Sequence, residues 1–414
     1  MEIEKRSLIE GISRRQFIQM STMLGTAGLL SHSLSSLAAG IVNLPFANGK
    51  RSMASFPQKG NLILLRTRPP LLETPFEVFD KGIFTPNNLF FVRWHLADIP
   101  TSVDVESFRL KVHGHVKKPI ELTLKQLVHD FQPVQMAAVN QCSGNSRGFF
   151  QPRVSGAEWG NGAMGNALWT GVRLKDVLKK SGINPGAVQV RFNGLDKGVV
   201  PGTPDYMKSL DVDHALDDEV IIAYAMNGKP LPLLNGFPLR LIVPGWYSTY
   251  WVKMLSDIEV LNKPDENYWM TSAYLMPATP GASVAPGQKD YKKIPINKMV
   301  PRSFITNFKD GDMIHAERDM AVRGIAFGGD AGVKQVLFSA DRGKTWKPAT
   351  LGKDYGKYSF RQWETHFRAG PRGADQVLMV KTINSHGLEQ PGRPTWNPTG
   401  YMLNVIEKTI LHSV

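Results

Sequence analysis

With Cys142 as the one cysteine in 414 residues, the chain cannot form an intrachain disulfide. The same scarcity excludes a Cys-x-x-Cys-His haem attachment. Beyond residue 47 no apolar run is long enough to cross a membrane. The chain also lacks a compact basic run interleaved with aromatics, which argues against nucleic acid as a partner. The Gly-rich text at 159–172 has no Gly-Lys-Ser/Thr and no strand–turn–helix frame, so it is neither a Walker loop nor a dinucleotide fingerprint. His113 and His115 stand at i and i+2 without a third nearby ligand and do not read as a metal site. No internal repeat is visible.

What is present fits a globular chain of two or three domains, with 42% hydrophobic and 21% charged residues. The 38 glycines and 28 prolines point to many turns and short strands rather than a helix bundle. The formal net charge is +13. Residues 1–47 hold Lys5, Arg6, Arg14 and Arg15 against Glu2, Glu4 and Glu10, so the remainder keeps about +12. A basic surface suits an acidic partner or the steering of an anionic substrate.

Residues 1–47 have the layout of an export signal. Ser13-Arg14-Arg15-Gln16-Phe17-Ile18 precedes a weakly apolar stretch at 20–37 and the small residues Ala38-Ala39-Gly40. The paired arginines follow the twin-arginine pattern. A membrane anchor is the rival reading, but Ser21, Thr22, Gly25, Thr26 and Gly28 dilute the apolar stretch. Cleavage is expected within 38–47. The twin-arginine route carries folded proteins, so the leader predicts a cofactor inserted before export and a periplasmic destination.

Cys142 lies in Ala138-Val139-Asn140-Gln141-Cys142-Ser143-Gly144-Asn145-Ser146-Arg147-Gly148. It is either a small core residue or a reactive thiolate. An expected strand at 136–139 runs into it, and the loop after it ends in Arg147. Exposed backbone N–H groups and a nearby cation favour the thiolate, which is both nucleophile and soft metal ligand. Residues 48–80 read as a polar, Pro-rich surface wrap. Residues 89–100 read as a strand whose end presents Arg93 and His95 on one side, because strand side chains alternate. A strand is expected at 108–115, and a short helix at 120–129 capped by Thr123. Residues 159–172 read as irregular, and 172–181 as an amphipathic helix ended by Gly182. Strands follow at 188–196, at 220–226 before the Asn227-Gly228 hairpin turn, and at 239–245. Arg240 inside that last apolar strand needs an anionic partner, either a carboxylate or a bound phosphate.

From about residue 294 the pattern changes. Short strands at 303–308, 313–317, 320–327, 333–339, 346–350, 358–367, 376–382 and 401–405 have the spacing of an all-β sandwich, with Trp346 expected in its core.

Taken together, Phe91-Val92-Arg93-Trp94-His95, the Cys142 loop with Arg147, Asn193-Gly194-Leu195-Asp196, Ala223 to Gly228, Gly236 to Arg240 and Trp251-Val252-Lys253 resemble the sulfite oxidase family of molybdenum enzymes, in particular its bacterial periplasmic sulfite dehydrogenases. The resemblance spans roughly residues 60–410. It implies an α+β fold, with a molybdopterin-binding catalytic domain at 48–293 followed by an immunoglobulin-like domain at 294–414 that dimerises in many members. It implies Cys142 as the direct molybdenum ligand. It implies Phe91, Val92, Arg93, His95, Asp196, Asn235, Arg240, Trp251, Val252 and Lys253 as the residues that hold the molybdenum-molybdopterin cofactor. Arg93, His95, Arg147 and Tyr274 are implied as the catalytic group around a small oxyanion, sulfite, which is oxidised to sulfate by oxygen-atom transfer. Without a haem site in the chain, electrons are expected to leave singly to a separate c-type cytochrome. Some animal members place an Arg in a Trp-Asn-x-Arg-Gly stretch; here it reads Trp396-Asn397-Pro398-Thr399-Gly400. The rival readings are an S-oxide or N-oxide reductase of the same family and a non-catalytic partner-binding subunit.

Overall fold

The computed structural model describes residues 40–414. Residues 1–39, which hold the twin-arginine pattern, lie outside the described residues. The described part is mostly sheet with few helices, as the α+β expectation requires. No helix among the described residues is long and apolar enough to cross a membrane.

Two sheets form the main body of the first half. One runs Met207–Asp211, Gln189–Gly194, Leu255–Leu261, Arg109–Gly114 and Ile120–Thr123. The other runs Lys229–Pro230, Ile221–Met226, Met164–Arg173 and Pro133–Gln141, with Arg240–Ile242 also pairing to Ile221–Met226. Every residue of Ile221–Met226 is buried, as in a strand covered on both faces. The helices Leu124–Asp130 and Leu174–Ser181 pack Leu127, Val128, Val177 and Leu178 into this core. The first is capped as expected: Thr123 Oγ1 accepts from the Gln126 N–H, and Gln126 Oε1 accepts from the Thr123 N–H. Such a capping box contributes about 1 kcal/mol. The second ends at Gly182 with φ +70°.

The first half departs from the sequence reading in places, and the strand expected at 89–100 is only Val92–Arg93. Residues 48–80 do not wrap loosely over the surface. Lys50–Ala54, Leu62–Arg66 and Leu71–Glu73 join Ile41–Asn43 and Val92–Arg93 in a five-stranded meander. Leu62 and Leu72 sit in a small core with Val92, Trp94 and Met254. Residues 159–172 are not irregular throughout, because Met164–Arg173 is a ten-residue strand. Its glycines mark close approach rather than a loop. A Cβ on Gly171 would sit 2.1 Å from the Ile222 carbonyl oxygen on the paired strand.

The second half is a sandwich of a four-stranded and a five-stranded sheet, immunoglobulin-like in architecture. The first is ordered Arg302–Ile305, Asp319–Phe327, Arg361–Arg368 and Thr350–Leu351. The second is ordered Asp312–Ile314, Glu407–Ser413, Asp375–Asn384, Val333–Ser339 and Lys347–Pro348. Trp346 is not the core tryptophan. It is half-buried under Lys381, while Trp363 fills the sandwich beside Phe338. Residues 401–405 are not a strand either. The closing strand is Glu407–Ser413, and 401–405 turn back over the first half.

Candidate functional site

A narrow cleft opens in the first half, and Phe91, Arg93, His95, Cys142, Asn235, Arg240, Lys253 and Tyr274 all line it. Cys142 stands where the strand Pro133–Gln141 gives way to its loop. Its N–H donates to the Ala163 carbonyl at 2.9 Å, and its carbonyl accepts from the Asn145 N–H at 2.9 Å. Its backbone is therefore fixed, and the nearly buried thiol is aimed into the cleft.

The opposite wall comes from residues 91–95. Alternation works as the sequence implies: Val92 and Trp94 face the small apolar core, while Arg93 and His95 face the cleft. His95 Nε2 hydrogen-bonds the Tyr274 hydroxyl. The imidazole stacks on Tyr206 with centroids 3.7 Å apart, and Trp269 meets it edge-on at 5.1 Å. Burial, then the charges of Arg93, Lys253, Lys208 and Arg66, hold His95 well below its ordinary value, so the ring is neutral at pH 7. Its buried Nδ1 has no hydrogen-bond partner among the described residues.

Arg240 is almost fully buried. Its Nη1 donates to the Asn235 carbonyl at 3.1 Å and its Nη2 to Asn140 Oδ1 at 3.2 Å. The guanidinium lies over the rings of Trp169 and Trp251, and Nε has no partner among the described residues. Burial pulls its pKa down to about 9. Lys253 lies over the Trp94 ring at 4.3 Å. Burial, then the Arg240 charge, lowers it, while burial raises the neighbouring Asp196. Arg93 keeps a buried Nη1 with no partner among the described residues. Its burial works against the charge, but Tyr274, Cys142, Tyr206 and Tyr401 more than offset that and leave it raised. Among the described residues no carboxylate lies within ion-pair distance of Arg93, Arg240 or Lys253.

Not every expected residue lines the cleft. Val92, Trp251 and Val252 are buried in the core, and any contact they make with a ligand is through their backbone or, for Trp251, through the ring beneath Arg240. Asn235 lines the wall but works as a strut. Its Oδ1 accepts from the buried Lys59 Nζ at 2.7 Å, and its Nδ2 donates to the Phe91 carbonyl at 3.1 Å. Arg147 lies in the seam between the two halves. Its Nε donates to the Gly400 carbonyl at 3.1 Å, its Nη1 to the Ala157 carbonyl at 3.2 Å, and its guanidinium sits over the Tyr401 ring. Gly400 has φ +66°, and a Cβ there would meet Arg147 Nε at 2.7 Å, so no other residue allows this contact unstrained.

The seam continues with Met402 N–H donating to the Ser143 carbonyl at 2.9 Å and Arg302 Nη1 to Ser146 Oγ at 2.7 Å. The cysteine loop is thus held from both halves. The Trp396–Gly400 stretch brings no cation: Thr399 Oγ1 donates to Asn397 Oδ1, and Asn397 Nδ2 donates to the Ala282 and Tyr401 carbonyls. Tyr206, Lys208, Trp269, Lys59 and Tyr401 surround the site without having been assigned a role from the sequence. Tyr401 stacks on Tyr274 at 5.4 Å. They converge on the site only through the fold.

A buried thiol beside unmatched cations and orphaned donors calls for an anionic ligand with many polar edges. That is the chemistry of a molybdopterin-bound metal, which presents a phosphate, a polar pterin and a metal that takes thiolate. The class the fold and site define is therefore a molybdopterin-binding oxidoreductase domain joined to a β-sandwich. An oxidoreductase molybdopterin binding domain profile matches residues 96–269, and a Mo-co oxidoreductase dimerisation domain profile matches 293–413. Chicken sulfite oxidase is 31% identical over 363 residues, covering 84% of this chain and 77% of that one. Human mitochondrial sulfite oxidase is 32% identical over 357 residues, covering 81% of this chain and 63% of that one. The chain thus spans 63% of the length of the mitochondrial relatives it matches. The crystal structure of the sulfane dehydrogenase SoxCD from Paracoccus pantotrophus shares the fold, with a TM-score of 0.70 at 21% identity over 94% of this chain and 97% of that one. The chain belongs to the sulfite oxidase family, whose cofactor is molybdenum-molybdopterin.

Proposed function

We propose that the chain is a periplasmic sulfite dehydrogenase, exported folded by the twin-arginine route, that oxidises sulfite to sulfate and passes two electrons singly to a separate c-type cytochrome. The observation that carries this reading is the cleft in which one thiol faces Arg93, Arg240 and Lys253, none with a carboxylate in ion-pair range. Cys142 ligates the molybdenum. Arg240, Lys253, Asp196 and the backbone near Phe91, Val92, Trp251 and Val252 hold the pterin, with Asn235 bracing Arg240. When bound, the molybdenum centre supplies oxygen-atom transfer and takes up the electron pair.

The protein's own groups do the rest. Arg93 offers charge-assisted donors to a dianion in the cleft, and Arg147, engaged in the adjoining seam, adds positive charge on the Tyr274 side. Converting sulfite and one water to sulfate releases two protons and two electrons, so the site needs a proton acceptor. His95 is neutral and already paired with the Tyr274 hydroxyl, which makes that pair the proton path. Tyr206 and Trp269 fix the plane of the imidazole and keep bulk water from its edges.

The test is sulfite-dependent reduction of cytochrome c or ferricyanide by the full chain, with molybdenum counted by elemental analysis. Turnover with about one molybdenum per chain is expected; no turnover at that metal content would overturn the reading. Barley nitrate reductase, 31% identical over 82% of this chain and 40% of its own length, favours a second reading in which the cleft reduces an oxidised substrate. Reduction of an S-oxide or N-oxide without sulfite oxidation would establish that one instead.

A further inference from the structure

Lys208 is a lysine with none of its surface exposed, standing behind the catalytic wall. The strand Met207–Asp211 continues from Tyr206, so alternation puts Tyr206 and Lys208 on the same face. Tyr206 carries the stacked His95 ring, and Lys208 sits beside it with its ammonium among the aromatics. Nζ donates to the Trp269 carbonyl at 2.7 Å. It lies 4.6 Å from the centroid of Tyr250 and 5.8 Å from that of Tyr274. No carboxylate is within ion-pair distance among the described residues; Asp265, the acidic group that acts on it, is engaged by Arg191, Ser209 and Asn267. A methionine would fill the same space without desolvating a charge.

We propose that Lys208 is a positioning residue of this site, whose buried ammonium, held beside Trp269 and Tyr274, keeps the His95 imidazole uncharged so that its Nε2 accepts the Tyr274 hydrogen bond. This rests on the sulfite dehydrogenase reading only for the use the reaction makes of that hydrogen bond; the effect on the imidazole does not depend on it. The geometry gives the direction. His95 is faced by Arg93 two residues upstream, by the charges of Lys253, Lys208 and Arg66 from other segments, and by the phenols of Tyr206 and Tyr274. Every charged group in that set is a cation and opposes a second positive charge. Burial brings Lys208 itself down to about 7, so its charge is present across the acidic range where His95 would protonate. Above that range it is lost, and with it the need for it, because the imidazole is then neutral in any case.

Two substitutions separate charge from tether. Lys208→Gln keeps a donor for the Trp269 carbonyl and removes the charge; Lys208→Met removes both. The readout is the His95 imidazole resonance of the full chain labelled with 13C-histidine, titrated between pH 4 and pH 8 and assigned by its loss in His95→Gln. Both variants are expected to protonate His95 about one pH unit higher than the parent. The acid limb of sulfite oxidation should move up by the same amount, with KM changed less than kcat. An unchanged imidazole titration in Lys208→Gln overturns the proposal, and where Lys208→Met does not fold, Lys208→Gln alone decides. An imidazole shift in a protein that does not oxidise sulfite supports the role of Lys208 and overturns the functional reading instead. Full activity with an unmoved titration does the reverse.

Discussion

The cofactor cleft and the seam between the two halves both bury an arginine close to the Cys142 loop, and they treat it oppositely. In the seam, Arg302 is 1% exposed and its charge is matched: Nη2 is paired to Glu407 and Nη1 donates to Ser146 Oγ. In the cleft, Arg240 is 4% exposed and has only a carbonyl, an amide oxygen and two indole faces. A buried charge with a carboxylate is a structural joint. A buried charge without one is a place kept for a ligand, because leaving it unmatched costs several kcal/mol. The contrast separates what holds the molecule together from what it is built to hold.

The strongest way to break this contrast is at the thiol. Cys142→Ser should leave the fold intact by circular dichroism and lower sulfite oxidation by at least about 100-fold, because on the proposed reading the metal loses its protein ligand. Retained activity would place the chemistry elsewhere. Next comes the pair of arginines, compared in cofactor-free protein by thermal unfolding. Arg302→Met should cost about 3 kcal/mol, since Glu407 is left behind in a desolvated position, and Arg302→Met with Glu407→Met should recover most of that. Arg240→Met should be neutral or stabilising in the same protein, yet should abolish pterin retention. Equal costs at the two positions would erase the distinction. Removing Thr399 Oγ1 with Thr399→Val should change stability by about 1 kcal/mol and leave the KM for sulfite nearly unmoved, because that position supplies a hydrogen bond and no charge.

A further prediction concerns pH. Glu73 is buried and accepts from the Gly160 and Gly162 N–H groups on the segment that supports the cysteine loop. Burial raises its carboxyl to about 7 in spite of those two bonds. Since the folded state binds this proton more tightly than the unfolded chain does, stability should rise as pH falls from about 7 toward the unfolded carboxyl value of 4.5. Glu73→Gln should flatten that part of the stability profile, measured by denaturant unfolding at pH 5 and pH 8.

Much of this was legible along the chain because it is local. The capping box at Thr123, the stop at Gly182 and the hairpin at Asn227-Gly228 are set by neighbours within four residues. The alternation of residues 91–95 pointed Arg93 and His95 to one side before any partner was known. The meander at 48–80 was not legible, because its strands are three to five residues long, too short for an alternating pattern to show. The strand Met164–Arg173 was hidden by glycines whose purpose is close approach to Phe90 and Ile222, and that approach exists only in the fold.

The sequence by itself determined the β-rich class, the change of pattern near residue 294, and the thiol with its flanking cations, because residue type and short spacing carry those facts. Only the tertiary structure decided that Tyr401 stacks on Tyr274, that Tyr206 lies under His95, that Lys59 braces Asn235, and that Lys208 is buried behind them. It also decided which buried arginine is matched and which is open. These pairs stand tens to hundreds of residues apart, and whether a charge is desolvated, and by what, is a property of the packed environment rather than of the residue that carries it.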